Sequence, residues 1–251
     1  MNGASDSRPE EVLKKAHASL ASQGYGQFPA ATYRGLLDEA ALEQLPEVLS
    51  SFADLVSDQH MGDGGTYRFR AYSRYLIRPG ESGEFALNEL SGNSIFQTTE
   101  DNPVNGGVLR TFAPLAPEIA DGPLLQALIR QDFANAAACD PTLWVGDTMV
   151  GVHQVRIVAR GEQPGLPTPE GIHRDSERFT FQHFMAREGI EGGEFRAYDS
   201  EKKLSFAWLQ HESLDTVMFE GTTWHSATPI APSAPGVAGY RDIFLVDFDR
   251  P

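Results

Sequence analysis

The sequence predicts a mainly β protein, an antiparallel sandwich or barrel that follows a helical N-terminal region. Two observations lead to this prediction. Apolar residues recur at helical spacing in the first sixty residues. Most of the remaining chain consists of short runs of β-branched and aromatic residues separated by glycine and proline, and these runs do not alternate with helical patterns.

Three segments have the apolar spacing of a helix: residues 9–22, 41–56 and about 123–137. Pro46 lies inside the second segment, and proline is best tolerated in the first turn of a helix. We therefore expect two short helices there. Asp121, Gly122 and Pro123 indicate the start of the third helix.

The strand-like runs are separated by turn signals at residues 161–169, 192–193 and 231–239. The clearest runs are residues 68–77, 149–158, 179–185, 195–198, 216–219 and 243–248. The sequence has no internal repeat, low-complexity segment or linker, and we expect one domain over residues 1–251.

Composition restricts the class of function. The chain has 251 residues, 41% hydrophobic and 22% charged, as in an ordinary folded protein. Its formal charge of −15 disfavours a general affinity for nucleic acid or an anionic membrane. Cys139 is the single cysteine, which excludes a disulfide framework and fits a reducing compartment. Without an apolar N-terminal core or a stretch of ~20 apolar residues, we expect a cytoplasmic protein.

Four arginines, Arg68, Arg70, Arg74 and Arg78, fall at even spacing in one strand-like run. On a strand they would share one face. This stripe suits carboxylate binding, but pairing with surface acids explains it equally well.

Three other residues have the pattern of a metal site. His173 and Asp175 are two residues apart, so on an extended segment both side chains point to the same side. His225 follows a later strand-like run, and a hairpin meander would return it to the same place. Two imidazoles and one carboxylate form a facial triad that suits iron(II) and leaves open positions. The alternative is an Asp-stabilised turn and an unrelated histidine.

Arg241 begins the last strand-like run. A guanidinium there can hold a carboxylate through two parallel hydrogen bonds. Together with the triad, it provides what 2-oxoglutarate needs: two metal positions for the keto-acid end and a cation for the far carboxylate. The alternative is a salt bridge to Asp242 or to an acid of a neighbouring strand.

From about residue 66 to 249 the chain resembles the iron(II)/2-oxoglutarate dioxygenases typified by bacterial L-isoleucine 4-hydroxylase. The resemblance rests on several motifs in order: RFRAYSRY, NGGVLRTFAPL, VHQVRIVA with PTPEGIHRD, GIEGGEFRAYD, and TTWHSATPI with GYRDIFLVDF. Two departures are Ser176, where glycine is expected, and Glu220, where aspartate is expected.

The resemblance implies a double-stranded β-helix core, that is, a cupin-like jelly-roll, over about residues 66–250. Residues 1–60 would support it as a helical region, and a helix would lie near 123–137. It also implies that His173, Asp175 and His225 bind iron and that Arg241 binds 2-oxoglutarate. The expected reaction is hydroxylation of a free L-amino acid, coupled to oxidative decarboxylation of 2-oxoglutarate to succinate.

The implied substrate is apolar, such as isoleucine or leucine, or cyclic, such as pipecolate or proline. The sequence does not decide between them, nor between a free and a carrier-bound amino acid. Such products commonly feed peptide natural product biosynthesis. Halogenation is disfavoured because Asp175 fills the position that a halide would need.

Further candidates for substrate or cosubstrate contacts are weaker. Gln154 and Arg156 share one face of a strand-like run, opposite His153. If the resemblance holds, we expect their face to line the barrel, with Arg156 receiving a carboxylate. Arg70, Arg74 and Trp224 are additional candidates, and no role is assigned to His183 or His211.

Three other functions are alternatives to amino acid hydroxylation. A metal-binding cupin-like domain without oxygenase activity would keep the triad but would not need Arg241. A hydrolase would need a nucleophile elbow such as G-x-S-x-G, which the sequence lacks. A nucleic-acid demethylase would need a basic groove, which the charge of −15 disfavours.

Overall fold

The computed structural model describes residues 9–80, 84–99, 104 and 106–251. The α-helices are α1 (Pro9–Gln23), α2 (Ala30–Leu36), α3 (Glu39–Ser51), α4 (Pro117–Ala120) and α5 (Pro123–Cys139). The strands are β1 (Tyr25–Phe28), β2 (Arg68–Pro79), β3 (Phe85–Leu90), β4 (Ser94–Phe96), β5 (Leu109–Thr111), β6 (Thr148–Arg160), β7 (Phe179–Glu188), β8 (Ile190–Gly192), β9 (Phe195–Tyr198), β10 (Leu204–Trp208), β11 (Thr216–Glu220), β12 (Trp224–Ala227), β13 (Ile230–Pro232) and β14 (Ala238–Asp249). No helix in these ranges is long and apolar enough to cross a membrane.

The strands form one large antiparallel sheet and smaller sheets. The large sheet has the order β1-β11-β7-β14-β6-β2-β3, and the others have the orders β10-β9-β12, β13-β8 and β4-β5. Strand β14 pairs with β6 over its whole length and with β7 on its other side. The sheet containing β9 packs on the large sheet through Phe195, whose ring centroid lies 5.5 Å from that of Phe219. The predicted mainly β architecture with flanking helices is confirmed.

The two faces of the large sheet have different neighbours. Phe244 and Phe248 of β14 face the helical layer, where Phe244 contacts Phe52 and Phe248 contacts Phe133. Ile243 and Leu245 lie on the opposite face and line a pocket. Because side chains alternate along a strand, each pocket residue of β14 is held between residues anchored in the core.

Two expectations for the N-terminal region are wrong. Pro46 lies inside α3 and does not divide it. The helix is held by the Asp38 side chain, which accepts a hydrogen bond from the amide of Ala41 at 2.8 Å, and by burial of Ala41 and Val48. The region is also not wholly helical, because β1 pairs with β11 at the edge of the large sheet. Residues 1–8 of the expected helical support lie outside the described residues.

The strand boundaries agree best where the apolar run is uninterrupted. The prediction for 195–198 coincides with β9, and those for 68–77, 149–158, 179–185 and 216–219 fall inside longer strands. The last strand begins at Ala238 rather than at residue 243. Residues 238–242, which are not a continuous apolar run, extend the ladder to β6, in which Ala238 lies opposite Arg160.

A buried polar network joins the helices to the sheet. The carboxylate of Asp132 on α5 accepts a hydrogen bond from the Tyr33 hydroxyl at 2.6 Å and lies 2.8 Å from Nε2 of His183 on β7. Nδ1 of His183 lies 2.8 Å from the hydroxyl of Thr216. Asp132 and His183 are completely buried, so each depends on its partners for compensation of the lost hydration. His183 therefore has a structural role.

Replacing Asp132 tests this network. We expect Asp132→Ala to lower the free energy of unfolding by about 3 kcal/mol, because it leaves His183 buried without its carboxylate. Urea unfolding followed by circular dichroism measures this change. Asp147→Ala is the control, because Asp147 pairs with the exposed Arg78, and we expect no detectable effect. Equal midpoints for the two variants would contradict a role for the network in stability.

Candidate active site

The pocket lies between the inner face of the large sheet and the sheet formed by β9, β10 and β12. Strands β2, β6, β7 and β14 contribute one wall, and β9 and β12 contribute residues of the other. The segment 167–177, which connects β6 to β7, borders the opening. His173, Asp175 and His225 all line this pocket, as does Arg241.

The predicted triad comes together. Backbone hydrogen bonds in both directions, at 3.0 and 2.9 Å, join His173 to His225. The Asp175 carboxylate lies 3.6 Å from Nε2 of His173 and 3.5 Å from Nε2 of His225. One ligand atom from each residue lies within 4.8 Å of the other two. Ligands of a transition metal each lie ~2.1 Å from it, so the two carboxylate separations fit a shared ion.

The orientation of both imidazoles also suits a metal. Nδ1 of His173 lies 3.0 Å from the carbonyl of Gly171, and Nδ1 of His225 lies 3.1 Å from the carbonyl of Thr223. A carbonyl oxygen only accepts, so each Nδ1 carries the proton and each Nε2 presents its lone pair to the site. Burial lowers the pKa of His225 to about 4, which keeps it neutral. Two neutral imidazoles and a carboxylate are a suitable donor set for iron(II).

Arg241 presents a buried and partly unpaired guanidinium to the same pocket. Its Nη2 donates to Oε1 of Gln210 at 3.2 Å, and Gln182 donates to the same oxygen at 2.7 Å. Its Nη1 is buried and has no hydrogen-bond partner among the described residues. Burial, with a smaller contribution from Arg187, lowers the pKa of Arg241 to about 10. An anion in the pocket would satisfy this donor.

Gly193 makes room for this arginine. A Cβ atom at this position would lie 2.7 Å from Cδ of Arg241, and the backbone there has φ of +78°. A side chain at residue 193 would therefore be strained and would displace the guanidinium. Gly193 belongs to the GIEGGEFRAYD motif, and the space that Arg241 needs explains why glycine suits this position of the motif.

A second group of arginines lines the pocket from β2 and β5. Arg70 donates to Nδ1 of His153 through two nitrogens at 3.1 and 2.5 Å. Nε2 of His153 therefore carries the proton, and it lies 3.2 Å from the Asp247 carboxylate. Burial and the charge of Arg70 hold the pKa of His153 well below its usual value. Arg68 pairs with Asp58 at 2.8 Å, and Arg110 donates to Gln97.

Acidic residues surround the triad. Burial and the neighbouring Asp175 raise the pKa of Asp247 to about 7. Burial, followed by the charges of Asp247 and Asp175, raises the pKa of Glu177 to about 8. Glu170 lies 3.4 Å from Nε2 of His173. Carboxyl groups therefore crowd the place where a cation is expected to bind, and a bound cation would offset the mutual repulsion that raises these pKa values.

The expectation that Gln154 and Arg156 face the pocket is wrong. Gln154 donates to the hydroxyl of Ser51 at 2.8 Å, on the helical side of the sheet. Arg156 makes two hydrogen bonds of 2.7 Å to Asp242 and lies over the ring of Tyr240. Both faces of β6 are rich in valine and isoleucine, so the apolar pattern did not indicate which face was inward.

Trp224 and Arg74 also lie outside the pocket lining. Trp224 precedes His225 on β12 and points to the other face, where Arg174 lies 4.4 Å and Lys202 4.0 Å from its ring centroid. Arg74 is on β2 opposite Gly151, beyond the two arginines that reach the pocket. Of the four evenly spaced arginines of β2, Arg78 pairs with a surface acid, Asp147, as the alternative interpretation of that stripe expected.

Several pocket residues were not singled out from the sequence. They are Arg110, Glu170, Gln182 and Asp247, and His153 was expected on the outer face. Gln210, which contacts Gln182 and Arg241 behind the lining, was not singled out either. Arg110 and Glu170 lie in two of the motifs quoted above, NGGVLRTFAPL and PTPEGIHRD, which was the available signal. Their proximity depends on loops, whose paths do not follow from periodicity.

Comparisons with known proteins agree with this geometry. The family model described as 2OG-Fe dioxygenase matches residues 49–247. L-isoleucine-4-hydroxylase of Bacillus thuringiensis is 31% identical over 73% of this chain and 75% of its own length. The 3(1)-hydroxy-L-isoleucine 4-dioxygenase of Pantoea ananatis is 26% identical over 92% of this chain and 94% of its own length.

A solved structure extends the likeness to the fold. The crystal structure of IDO from Bacillus thuringiensis superposes with a TM-score of 0.76 at 26% identity, and covers 99% of this chain and 97% of its own. The jelly-roll core predicted for this chain is confirmed, and so is the resemblance recognised from its motifs.

Removing one triad residue tests the metal site. We expect His225→Ala to weaken manganese(II) binding more than roughly 100-fold, since changing even an outer contact of a metal ligand commonly costs 10- to 100-fold. Isothermal titration calorimetry on the metal-free protein measures the affinity. His211→Ala serves as the control, because His211 is exposed. Unchanged manganese affinity in His225→Ala would show that the metal binds elsewhere.

Proposed function

The chain belongs to the 2OG-Fe dioxygenase family, and from that premise we propose that it hydroxylates a free L-amino acid. The family uses iron(II), 2-oxoglutarate and dioxygen, and this chain is a 2-oxoglutarate-dependent dioxygenase. The observation that supports the proposal best is the unpaired Nη1 of Arg241 in the same pocket as the triad. A metal-binding domain without oxygenase activity would have no use for that buried charge.

In this proposal His173, Asp175 and His225 hold the iron, and Arg241 binds the far carboxylate of 2-oxoglutarate. When bound, iron with 2-oxoglutarate and dioxygen supplies the oxidising power for C–H hydroxylation, and 2-oxoglutarate leaves as succinate and carbon dioxide. Gln210 fixes the Arg241 guanidinium, so little side-chain entropy is lost on binding the carboxylate. The chain contributes position rather than acid–base chemistry.

The apolar part of the pocket suits an aliphatic substrate side chain. Ile95, Phe195, Phe219, Ile243 and Leu245 all line it. These residues exclude water from the reacting carbon and offer no hydrogen bond to a polar side chain. The two relatives named above act on L-isoleucine and on 3(1)-hydroxy-L-isoleucine. We therefore favour an apolar amino acid such as isoleucine or leucine, with pipecolate and proline as the cyclic alternatives.

The remaining parts of the proposal concern partners and compartment. The formal charge of −15 disfavours nucleic acid as the substrate. The single cysteine fits a reducing compartment, and we propose the cytoplasm. A role in supplying modified amino acids for peptide natural products is consistent with this activity.

A substrate screen tests the proposed function. Purified protein with iron(II), ascorbate and 2-oxoglutarate is incubated under air with each of the twenty L-amino acids and with pipecolate. We expect succinate formation to depend on an apolar or cyclic amino acid, with a product sixteen mass units heavier, the mass of one oxygen atom. The matched His225→Ala protein is the control for free iron chemistry. If none of these compounds stimulates succinate formation, hydroxylation of the twenty L-amino acids and of pipecolate is refuted.

The role of Arg241 has its own test. We expect Arg241→Met to weaken 2-oxoglutarate binding to the manganese-loaded protein by roughly 10- to 100-fold, the usual value of a hydrogen bond to a charged group. Arg241→Lys should lose less, because it keeps the charge but not the fork of donors. Arg78→Met is the surface control. Unchanged 2-oxoglutarate affinity in Arg241→Met would assign the cosubstrate to another cation.

A further inference from the structure

Besides Arg241, three side chains of the pocket have a buried polar atom that has no hydrogen-bond partner among the described residues. The atoms are Nη2 of Arg68, Nε of Arg110 and Oε2 of Glu170. Arg68 is 7% exposed and Arg110 is 2% exposed, and the side chain of Glu170 is 9% exposed. Leaving buried donors and acceptors unpaired is costly, so such atoms indicate where a ligand makes its hydrogen bonds.

The two arginines are held in position by their other atoms. Nε of Arg68 donates to Asp58 at 2.8 Å, and the Asp58 side chain is fully buried. Arg110 donates to Gln97, and its guanidinium lies 5.8 Å from the ring centroid of Phe112. The free nitrogens are therefore presented to the pocket by side chains that are already ordered, which lowers the entropic cost of binding.

Positive charge in this corner exceeds its compensation. Among the described residues, Asp58 is the carboxylate that hydrogen-bonds the group formed by Arg68, Arg70 and Arg110. Arg70 instead donates to the neutral His153. Burial and the charge of Arg68 lower the pKa of both Arg70 and Arg110. A bound anion would relieve this mutual repulsion.

Glu170 provides the opposite charge beside the arginines. One carboxylate oxygen lies 3.4 Å from Nε2 of His173, and the other is unpaired. It is close enough to Arg110 for its charge to act on that guanidinium. Unpaired donors and an unpaired acceptor thus line one pocket, next to the candidate metal ligands.

We propose that Arg68 and Arg110 bind the α-carboxylate of the substrate amino acid and that Glu170 binds its α-ammonium group. This inference rests on the proposed function and deepens it. A carboxylate accepts the hydrogen bonds that the two arginine nitrogens donate, and an ammonium donates to the carboxylate oxygen of Glu170, so the zwitterion matches the unpaired atoms in kind and in sign. The substrate is therefore a free amino acid rather than one bound to a carrier through its carboxyl group, because a thioester or amide has no charged carboxylate.

This carboxylate site is separate from the one assigned to 2-oxoglutarate. In the large sheet, Arg68 on β2 and Arg241 on β14 lie on either side of Ile157 of β6. Two strand spacings place their Cα atoms about 10 Å apart. Each has its own unpaired nitrogen, so the pocket can hold two carboxylate ligands at once.

Ligands that lack one charge test the proposal. We use manganese-loaded protein with 2-oxoglutarate, which does not turn over, and measure binding of L-isoleucine, L-isoleucinamide and 3-methylpentanoate by calorimetry. The amide lacks the carboxylate and 3-methylpentanoate lacks the ammonium. If the screen identifies another substrate, its amide and its deaminated acid replace them. We expect the native protein to bind the amino acid at least roughly tenfold more tightly than either analogue.

Two variants separate the charged contacts. Arg110→Met should lose part of its preference for the amino acid over the amide, because only Arg68 then holds the carboxylate, while it still discriminates against the deaminated acid. Glu170→Gln should show the opposite pattern. In Arg110→Met we expect manganese and 2-oxoglutarate affinities to stay within about twofold of the native values. Glu170→Gln should still bind manganese, more weakly because one negative charge near His173 is lost. Arg78→Met, from the exposed end of β2, is the control. If Arg110→Met folds poorly, Arg110→Lys replaces it, and this variant should retain part of the preference for the amino acid over its amide.

Several results would overturn the proposal. Discrimination between acid and amide that is undiminished in both Arg110 variants would remove Arg110 from substrate binding and overturn the proposed carboxylate site. Weaker 2-oxoglutarate binding in Arg110→Met, with amino acid binding unchanged, would assign the arginine group to the cosubstrate. Loss of manganese from Glu170→Gln would make Glu170 a metal ligand. If the substrate screen succeeds but these patterns fail, the inference alone falls; if no free amino acid is turned over or bound, both fall.

Discussion

The alternation of side chains along the central strand β14 is the constraint on which the rest of the structure depends. Phe244, Val246 and Phe248 are completely buried against the helical layer. The residues between them therefore face the pocket. Because β14 is paired with β6 and with β7, its register also determines which residues of these two strands face the pocket. A shift of one residue would move Arg241 into the helical layer and Asp242 into the pocket. The apolar core thus determines the position of the chemistry.

Buried charge is the second constraint, because the pocket brings acids and arginines out of water. Some of these groups have a polar partner: Nε2 of His153 lies 3.2 Å from the Asp247 carboxylate, and Arg68 pairs with Asp58. Four of the side chains with an unpartnered buried atom, Arg68, Arg110, Glu170 and Arg241, line the same pocket. Since buried ions cost several kcal/mol unless compensated, this arrangement reduces stability in the absence of ligands. Ligand binding then stabilises the folded protein by an amount that increases with the logarithm of the ligand concentration once this exceeds Kd.

The mainly β class follows from short-range patterns, and so does the shared side of His173 and Asp175 on an extended segment. The choice of His225 as the third ligand depends on the resemblance of several motifs to the family, because His183 also lies in a strand-like run. The sequence did not predict which face of β6 is inward, because Val150 and Val152 on one face are matched by Val155 and Ile157 on the other. Nor did it predict the position of Glu170, which depends on the path of a loop. Periodicity determines the spacing of side chains, whereas tertiary packing selects the face.

The charge distribution of the whole chain has a consequence for the substrate. The formal charge of −15 repels anions in general, but salt screens that repulsion beyond about 8–10 Å. The arginines of the pocket therefore attract carboxylates only at short range. A zwitterionic amino acid has no net charge and is not repelled as it approaches, whereas a substrate on an acidic carrier would meet repulsion from the whole protein surface. The global charge and the local pairs of the pocket thus favour the same class of substrate, a small and electrically neutral amino acid.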